Sequence, residues 1–444
     1  MTLTPVQLNT SNCDIAVRAD FLHFLDDPGK DERACEHIED GIMILHQGKI
    51  QALGVASEWL DHLPDGSALY DYSGQLVMPG FIDAHTHYPQ TEMIASHGAQ
   101  LLDWLKNYTF PSEMRFAERS HADDIAAFFC QQMMRNGTTT SAVFATVHPQ
   151  SVDAIFSAAQ KLDLCLIAGK VMMDRNAPAE LLDTAESSYQ HSAELIERWH
   201  GVGRAHYAVT PRFAPCSSEA QLSVCGQLLQ EYPGLYLQSH VAENLDEVAW
   251  VKQLFPKQRS YLDVYDSFGL LAERSIYGHC IHLDEQDRER MAQSGATIAF
   301  CPTSNLFLGS GLFDLEAAAA HGIALALASD VGAGTSFSML QTLNEAYKVC
   351  QMAGQSLSAF SAFYLATLGG AKALHLQQSL GNFAIGKEAD FVVLDLQSTP
   401  LMQRRMARAE SLQERLFALM MLGDDRCVLA THVMGKRQYL RGQA

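Results

Sequence analysis

The sequence has few charged residues and no long apolar run. Charged residues make up only 18% of the 444 positions and hydrophobic residues 48%, so the chain can fill a core and is not disordered in the main. No stretch approaches the roughly 18 consecutive apolar residues of a membrane-spanning helix. The opening segment, MTLTPVQLNTSNCD, has no basic region before an apolar run. We therefore expect no membrane span and no secretory signal.

Closely spaced cysteines and an excess of positive charge are also missing. No two of the ten cysteines lie within four residues of each other, which excludes thiolate metal clusters of the CxxC kind. Because most of them lie in apolar segments, we expect reduced, buried thiols in a cytoplasmic protein. The formal net charge of −20 disfavours nucleic acid and anionic membranes as partners, since both bind to basic surfaces.

The pattern of secondary structure divides the chain into two parts. Residues 1–75 and 380–444 hold short β segments, and we expect them to form one small, discontinuous β-sandwich domain. In residues 76–379, apolar β-rich runs alternate with amphipathic stretches, which predicts a parallel sheet with crossover helices. The predicted strands of this part are 76–83, 138–147, 163–172, 204–211, 235–241, 275–281, 297–301 and 324–329.

Eight such units occupy roughly the 250 residues that a (β/α)8 barrel needs, so we predict an α/β fold with a TIM-like barrel as the catalytic domain. In such a barrel the active site lies at the carboxyl ends of the strands. The first predicted strand runs into His85-Thr86-His87. Residues two apart face the same side of a strand, so both imidazoles can point into the barrel mouth and bind one metal ion. Taken alone, this pattern also fits two polar residues at a strand exit.

Three further strands end in a side chain that can bind a metal. The fifth ends at His240, the sixth at His279 and the eighth at Asp330. Imidazole and carboxylate are ligands that zinc or ferrous iron accepts. Four strands that end this way at one mouth predict a metal site. His282 is the alternative to His279, which we prefer because the preceding Gly278 allows close approach.

Residues 76–87, LVMPGFIDAHTH, resemble the first-strand signature of the amidohydrolase superfamily, and the small flanking β domain is similar to that superfamily's. Within it, the chain is most similar to the guanine deaminase family, along its whole length. One departure is Ala84, where these enzymes usually have threonine, but it lies outside the ligand set. The matching stretches are 87–90, 102–105, 108–111, 211–213, 239–240, 243–244, 329–334 and 386–391.

The resemblance implies one zinc ion per chain, with iron as the other possible occupant. Three imidazoles and a carboxylate leave a position open for water. A divalent ion can lower the pKa of that water from about 15.7 to about 7. The ligands implied by the resemblance are His85, His87, His240 and Asp330.

The resemblance also implies the catalytic roles for hydrolytic deamination of guanine to xanthine and ammonia. Asp330 would act as a general base as well as a ligand. Glu243 would carry a proton between water, a ring nitrogen and the departing ammonia. His279 would hold the attacking water or the tetrahedral oxygen by a hydrogen bond.

Recognition of guanine needs groups for its 6-oxo edge, its nitrogens and its ring face. We assign the 6-oxo edge to Arg212, a ring nitrogen and the amino group to Gln90, and ring stacking to Phe213. Trp104 and Phe110 could roof the pocket, or they could be ordinary core aromatics of the insert after the first strand. The predicted substrate-contacting set also includes His87, His240, Glu243 and Asp330.

Four alternatives are weighed against this assignment. A binuclear hydrolase of the superfamily would need a lysine on the fourth strand, but 205–210 has none and Lys170 falls on the third. A non-enzymatic scaffold would have lost ligands, and all are present. His37 and Glu39 match the first half of the H-x-E and P-C-x-x-C motif of an unrelated zinc deaminase fold. The second half fails, because Cys216 has no second cysteine three residues after it. A related purine, pterin or triazine could also be the true substrate. The superfamily resemblance further suggests a homodimer.

Overall fold

The computed structural model describes residues 13–31, 33–64, 66–98 and 100–443. The segment 1–12, which contains most of the region expected to lack a secretory signal, lies outside the described residues. Within the described ranges, no helix is long and apolar enough to cross a membrane.

The described residues form two sheets, with helices around the larger one. The strands are β1 (Ile15–Phe24), β2 (Cys35–His46), β3 (Lys49–Val55), β4 (Ala68–Pro79), β5 (Phe81–His87), β6 (Thr138–Phe144), β7 (Cys165–Gly169), β8 (Val171–Met172), β9 (Ala205–Pro211), β10 (Tyr236–Val241), β11 (Ser275–His279), β12 (Thr297–Phe300), β13 (Ala324–Leu327), β14 (Phe391–Leu394), β15 (Val428–Val433) and β16 (Lys436–Leu440).

The helices are α1 (Ala56–Trp59), α2 (Leu101–Trp104), α3 (Phe110–Met114), α4 (Arg119–Arg135), α5 (Pro149–Lys161), α6 (Ala185–Trp199), α7 (Glu219–Glu231), α8 (Leu245–Leu254), α9 (Tyr261–Ser267), α10 (Glu285–Ser294), α11 (Pro302–Phe307), α12 (Leu315–Ala320), α13 (Met339–Met352), α14 (Ala359–Leu365), α15 (Leu368–Ala373), α16 (Pro400–Met406) and α17 (Leu412–Leu422).

The central sheet is a parallel barrel. Its strands follow the order β13-β12-β11-β10-β9-β7-β6-β5, and the short β8 pairs with β9. The first and last strands come together at the mouth, where the Asp330 N–H donates to the His85 carbonyl at 2.9 Å and the His87 N–H to the Val331 carbonyl at 2.6 Å. The predicted (β/α)8 architecture is confirmed, and the apolar runs mark its strands because parallel strands are covered on both faces.

The first predicted strand, 76–83, is wrong in one respect. Residues up to Pro79 belong to β4 of the other sheet, and the barrel strand β5 begins only at Phe81. Gly80 lies at the change of sheet, and a Cβ atom there would come within 2.1 Å of the Thr139 hydroxyl oxygen. The apolar run is continuous because both strands are buried, so the sequence pattern does not reveal the junction.

The second sheet joins both ends of the chain, as predicted for the small β domain. Its order is β16-β15-β14-β4-β1-β2-β3, and β1 and β4 pair in parallel while the other neighbours are antiparallel. Side chains such as Phe21, Met43 and Phe391 form its buried core. The domain limits at 75/76 and 379/380 stay a proposal.

A buried ion pair ties the barrel to this second sheet. The guanidinium of Arg204, just before β9, donates to the two carboxylate oxygens of Asp390 at 2.6 and 3.2 Å and lies 2.8 Å from Glu388. Asp390 also accepts the backbone N–H of Met434 at 2.9 Å. Despite burial, these carboxylates raise the pKa of Arg204, so the guanidinium stays charged.

We predict that Asp390→Asn destabilises the protein by about 3 kcal/mol, because it removes one partner of a buried ion pair. The control is Asp40→Asn, which breaks the exposed pair with Arg18 and should cost less than about 1 kcal/mol. Urea unfolding of both variants measures the difference. Equal, small losses in the free energy of unfolding would show that the ion pair of Arg204 and Asp390 contributes little to stability.

Candidate active site

Four donor atoms meet at the mouth of the barrel. The Nε2 atom of His87 lies 3.3 Å from that of His85 and 3.2 Å from that of His240. The Oδ1 atom of Asp330 lies 3.4 Å from the His85 Nε2 and 3.5 Å from the His87 Nε2. Ligands at the corners of a tetrahedron with bonds of about 2.1 Å are about 3.4 Å apart. These four separations match that spacing, and the donor atoms of the three histidines all lie within 4.8 Å of one another.

The protonation states of these side chains also suit a cation. Burial lowers the pKa of His85, and burial and neighbouring imidazoles lower those of His87 and His240 far below the usual value. Burial would raise the pKa of Asp330, but its hydrogen bond with His85 and the charge of that ring outweigh this, and the pKa is lowered. His240 donates from Nδ1 to the Arg212 carbonyl at 2.6 Å, which leaves its Nε2 lone pair free. Neutral imidazoles and an ionised carboxylate are the forms that bind a divalent ion.

Hydrogen bonds join β5 to the segment after β13 beside the donor side chains. The Oδ1 atom of Asp83 on β5 accepts the Ser329 N–H at 2.9 Å, and its other oxygen accepts the Ser329 hydroxyl. Asp83 lies two positions before His85, and Ser329 directly precedes Asp330. Burial raises the pKa of Asp83 to about 7. The sequence analysis gave Asp83 no role, although its place before the HxH pattern is the signal that it faces the same mouth.

A cysteine forms a second, overlapping donor group that the sequence analysis missed. The ligand atoms of His85, His279, Cys301 and Asp330 all lie within 4.8 Å of one another. Cys301 follows β12, so the strand-end rule that singled out the histidines also applied to it. Its thiol donates to the Ala299 carbonyl at 3.3 Å, and burial raises its pKa well above the usual range. A protonated thiol is a poor metal ligand, so the group of three imidazoles and a carboxylate is the better site.

His279 lies against the donor group and His282 does not. The His279 Nε2 is 3.8 Å from Asp330 Oδ2 and 3.4 Å from Glu243 Oε2. Its Nδ1 is 2.8 Å from the side-chain oxygen of Asn305, which fixes the ring orientation. Burial lowers the pKa of His279, but the charges of Glu243 and Asp330 outweigh it and the pKa is raised. His282 Nε2 instead bonds to the Ser310 carbonyl at 3.0 Å.

Glu243 is a buried carboxyl group that lies between Ser310 and His279. Its Oε1 accepts the Ser310 hydroxyl at 3.0 Å, and its Oε2 faces His279. Burial raises its pKa to about 7, which suits a group that both takes and gives a proton near neutral pH. The preceding Ala242 has a φ of +51°, a strained conformation that turns the chain after β10. The sequence analysis missed Ser310, which lies far away in the chain.

The residues predicted to read the substrate are linked by a glutamate that the sequence analysis did not identify. Arg212 Nη1 donates to both carboxylate oxygens of Glu113, at 2.8 and 2.7 Å. Gln90 Nε2 donates to Glu113 at 3.4 Å, and Gln90 Oε1 accepts the Gly332 N–H at 3.2 Å. Phe213 is buried with its ring 6.3 Å from that of Trp250. No motif marks Glu113, because it lies in the irregular insert after β5.

Many of these side chains line one cleft at the mouth of the barrel, part of it open to solvent. Trp104 lines it, as one of our two interpretations expected. Phe110 does not line the cleft and packs under the Arg212 guanidinium, 5.7 Å from the ring centre. The lining residues are His87, Gln90, Leu101, Trp104, Leu105, Arg212, Phe213, His240, Glu243, Glu247, His279, Leu308, Asp330 and Ala333.

The bridging lysine of binuclear relatives has no counterpart at this site. Lys170 follows β7, the third barrel strand, and its Nζ pairs with Asp183 and the Val171 carbonyl. The fourth barrel strand, β9, carries no lysine. The strand count on which the sequence argument depended is therefore correct.

Comparison with known proteins agrees with this architecture. The amidohydrolase family model matches residues 76–437. The guanine deaminase of Escherichia coli (strain K12) is 52% identical over 429 residues, which cover 96% of this chain and 98% of that one. The solved structure of E. coli guanine deaminase matches with a TM-score of 0.95 and 51% identity, covering 96% of this chain and all of that one. A guanine deaminase from C. acetobutylicum with bound guanine in the active site matches with a TM-score of 0.86 and 30% identity, covering 96% and 100%.

The chain belongs to the amidohydrolase family, and it is an enzyme of that family. Within the family it groups with the guanine deaminases. The resemblance found in the sequence is confirmed, and the scaffold and the unrelated zinc deaminase fold are excluded.

We predict that Gly278→Ala weakens binding of a divalent ion roughly tenfold or more. Gly278 pairs with His240 across β10 and β11, and a Cβ atom there would come within 2.9 Å of the His85 ring. Displacing a ligand ring loosens the site without removing a ligand. Titration of the metal-free protein with zinc in the presence of a competing chelator measures the affinity.

Gly29→Ala is the control, because Gly29 lies by Asp27, away from the donor group. It should leave the zinc affinity unchanged. An unchanged affinity in Gly278→Ala as well would mean that His85 is not held where the metal ion binds.

Proposed function

We propose that this enzyme deaminates guanine hydrolytically to xanthine and ammonia. The observation that carries the proposal is the convergence of four donor side chains, with four of their separations at 3.2–3.5 Å. The carboxyl group of Glu243 lines the same cleft as three of these donors. Identity of 52% to the E. coli guanine deaminase supports the choice of substrate. The alternative is another deaminase of the superfamily, or a binuclear cyclic-amide hydrolase, that acts on a related heterocycle.

The residues fit one divalent ion per chain, and zinc suits three imidazoles with one carboxylate. Iron accepts the same ligands. When bound, such an ion supplies the acidity that makes water a nucleophile near neutral pH. The ligands in this proposal are His85, His87, His240 and Asp330.

The chain's own groups then handle the protons. Asp330 takes a proton from the attacking water, whose oxygen bonds to the ring carbon that bears the amino group. Glu243, protonated at the start, gives its proton to the neighbouring ring nitrogen and so removes the negative charge that develops there. The carbon–nitrogen bond then breaks: the amino nitrogen receives the proton that Asp330 took from water and leaves as ammonia, and the tetrahedral hydroxyl gives its proton back to Glu243 as the new carbonyl forms. His279 holds the oxygen in place by a hydrogen bond.

Recognition of guanine falls to the residues around the cleft. We assign the 6-oxo edge to Arg212 and the ring face to Phe213, with Trp104 as the roof. Gln90 reads the nitrogen edge. Because its oxygen already accepts the Gly332 N–H, Gln90 presents chiefly an N–H to the substrate.

We also propose a cytoplasmic homodimer. Eight of the ten cysteines are buried thiols, which fits a reducing compartment. The family resemblance supports the dimer, and light scattering of the purified protein tests it.

We predict that guanine is converted to xanthine and ammonia, while adenine is turned over at least about a thousandfold more slowly. Adenine lacks the 6-oxo acceptor, so the N–H donors of Arg212 that are not paired with Glu113 would stay buried without an acceptor. An absorbance assay with guanine, adenine and cytosine measures both rates. Faster turnover of adenine or cytosine would contradict the substrate assignment.

We predict that Glu243→Gln keeps the metal ion and loses turnover by roughly 100- to 10,000-fold. Gln preserves shape and hydrogen bonding but cannot carry a proton. Asp330→Asn should lose turnover and also bind the metal ion more weakly, because it is a ligand as well as a base. Elemental analysis and guanine turnover of the two variants and the parent make the test.

The parent should hold one metal ion per chain, and chelation should abolish its activity. Two ions in the active enzyme would reject the mononuclear site. Equal metal loss in the two variants would show that the roles of ligand, given to Asp330, and proton carrier, given to Glu243, are wrongly assigned. Turnover near the parental rate in Glu243→Gln would remove Glu243 from the mechanism.

A further inference from the structure

We propose that Glu113 is a positioning residue that fixes Arg212 and Gln90 for recognition of the substrate. The inference rests on the proposed function, because it assumes that Arg212 binds the 6-oxo group. Glu113 is completely buried on α3 of the insert after β5, and it does not line the cleft. It therefore acts through its neighbours and touches no substrate.

The carboxylate of Glu113 accepts hydrogen bonds from side chains that follow two different barrel strands. Arg212, directly after β9, gives it two contacts below 3 Å through the single atom Nη1. Gln90, just after β5, gives it the longer contact of 3.4 Å. Since Nη1 is used, the Nη2 and Nε hydrogens of Arg212 remain for an acceptor in the cleft. The ion pair thus selects which edge of the guanidinium meets the substrate.

Glu113 also determines the orientation of the Gln90 amide. A carboxylate only accepts hydrogen bonds, so the Gln90 nitrogen must face Glu113. The Gly332 N–H only donates, so the Gln90 oxygen must face Gly332. The two contacts agree on one orientation, which leaves the second Nε2 hydrogen for the substrate. The network therefore connects the insert to the loop that carries Asp330.

The expected kinetic effect lies in substrate binding. Deamination occurs at the carbon that bears the amino group, and the negative charge develops at the neighbouring ring nitrogen, away from the 6-oxo group. A contact to the 6-oxo oxygen therefore stabilises substrate and transition state about equally, and its loss raises KM more than it lowers kcat. A merely structural role for Glu113 would reduce the folded fraction and leave KM unchanged.

The test compares guanine kinetics of the metal-loaded parent with Glu113→Gln, Arg212→Met and the double variant. We expect Glu113→Gln to raise KM at least about tenfold with kcat changed less than about threefold and metal content unchanged. The double variant should have a KM close to that of Arg212→Met alone, because the short contacts of Glu113 go to Arg212 and its contact with Gln90 is the longer one. Glu113→Asp, which keeps the charge, should shift KM in the same direction by less, and it replaces Glu113→Gln if that variant does not fold.

Asp183→Asn is the matched control, since it breaks another buried ion pair, with Lys170, away from the cleft. Its KM should equal that of the parent. If Arg212→Met raises KM but the Glu113 variants behave like Asp183→Asn, or if the effects of Glu113 and Arg212 are additive, the inference is overturned. If the parent does not act on guanine, or Arg212→Met leaves KM unchanged, the proposed function itself fails, and the inference with it.

Discussion

The structure depends on one constraint, which is that three imidazole nitrogens and a carboxylate oxygen must converge in a buried place, with four of their separations at 3.2–3.5 Å. Such a group is unfavourable by itself, because it buries lone pairs and a charge away from water. A parallel barrel can enforce it, since the carboxyl ends of all strands open at one mouth. The hydrogen bonds between the ends of β5 and the segment after β13 then hold His85 and Asp330 in register.

The neighbouring residues follow from this arrangement. Asp83 fastens the first and last strands beside the ligands, and the Arg212 carbonyl sets the tautomer of His240. Glu243 and His279 form a second layer of titratable groups whose pKa values shift upward, while those of the ligand histidines shift downward. The site therefore separates imidazoles whose neutral form suits a cation from groups whose raised pKa suits proton transfer. Burial is the largest single influence on the pKa of His240, Glu243 and His279.

Much of this was predictable from the sequence, because strand ends of a parallel barrel carry a local signal. An apolar run that stops at one polar residue identified His85, His87, His240, His279 and Asp330 without any structure. The junction at Gly80 could not be located, since two buried strands of different sheets read as one apolar run. Glu113, Ser310 and Cys301 were missed for another reason. Glu113 lies on a short helix of the insert after β5 and Ser310 in the segment after α11, and only folding brings them next to residues of the cleft. The thiol is indistinguishable in sequence from a core cysteine.

X-ray absorption spectroscopy at the metal edge of the zinc-loaded protein tests the account most directly. One zinc ion held by His85, His87, His240 and Asp330 predicts only nitrogen and oxygen neighbours at about 2.0–2.2 Å, with imidazole scattering from three rings. A sulfur neighbour at about 2.3 Å would place Cys301 in the shell and contradict the ligand set. A second metal ion at about 3.5–4 Å would contradict the mononuclear site.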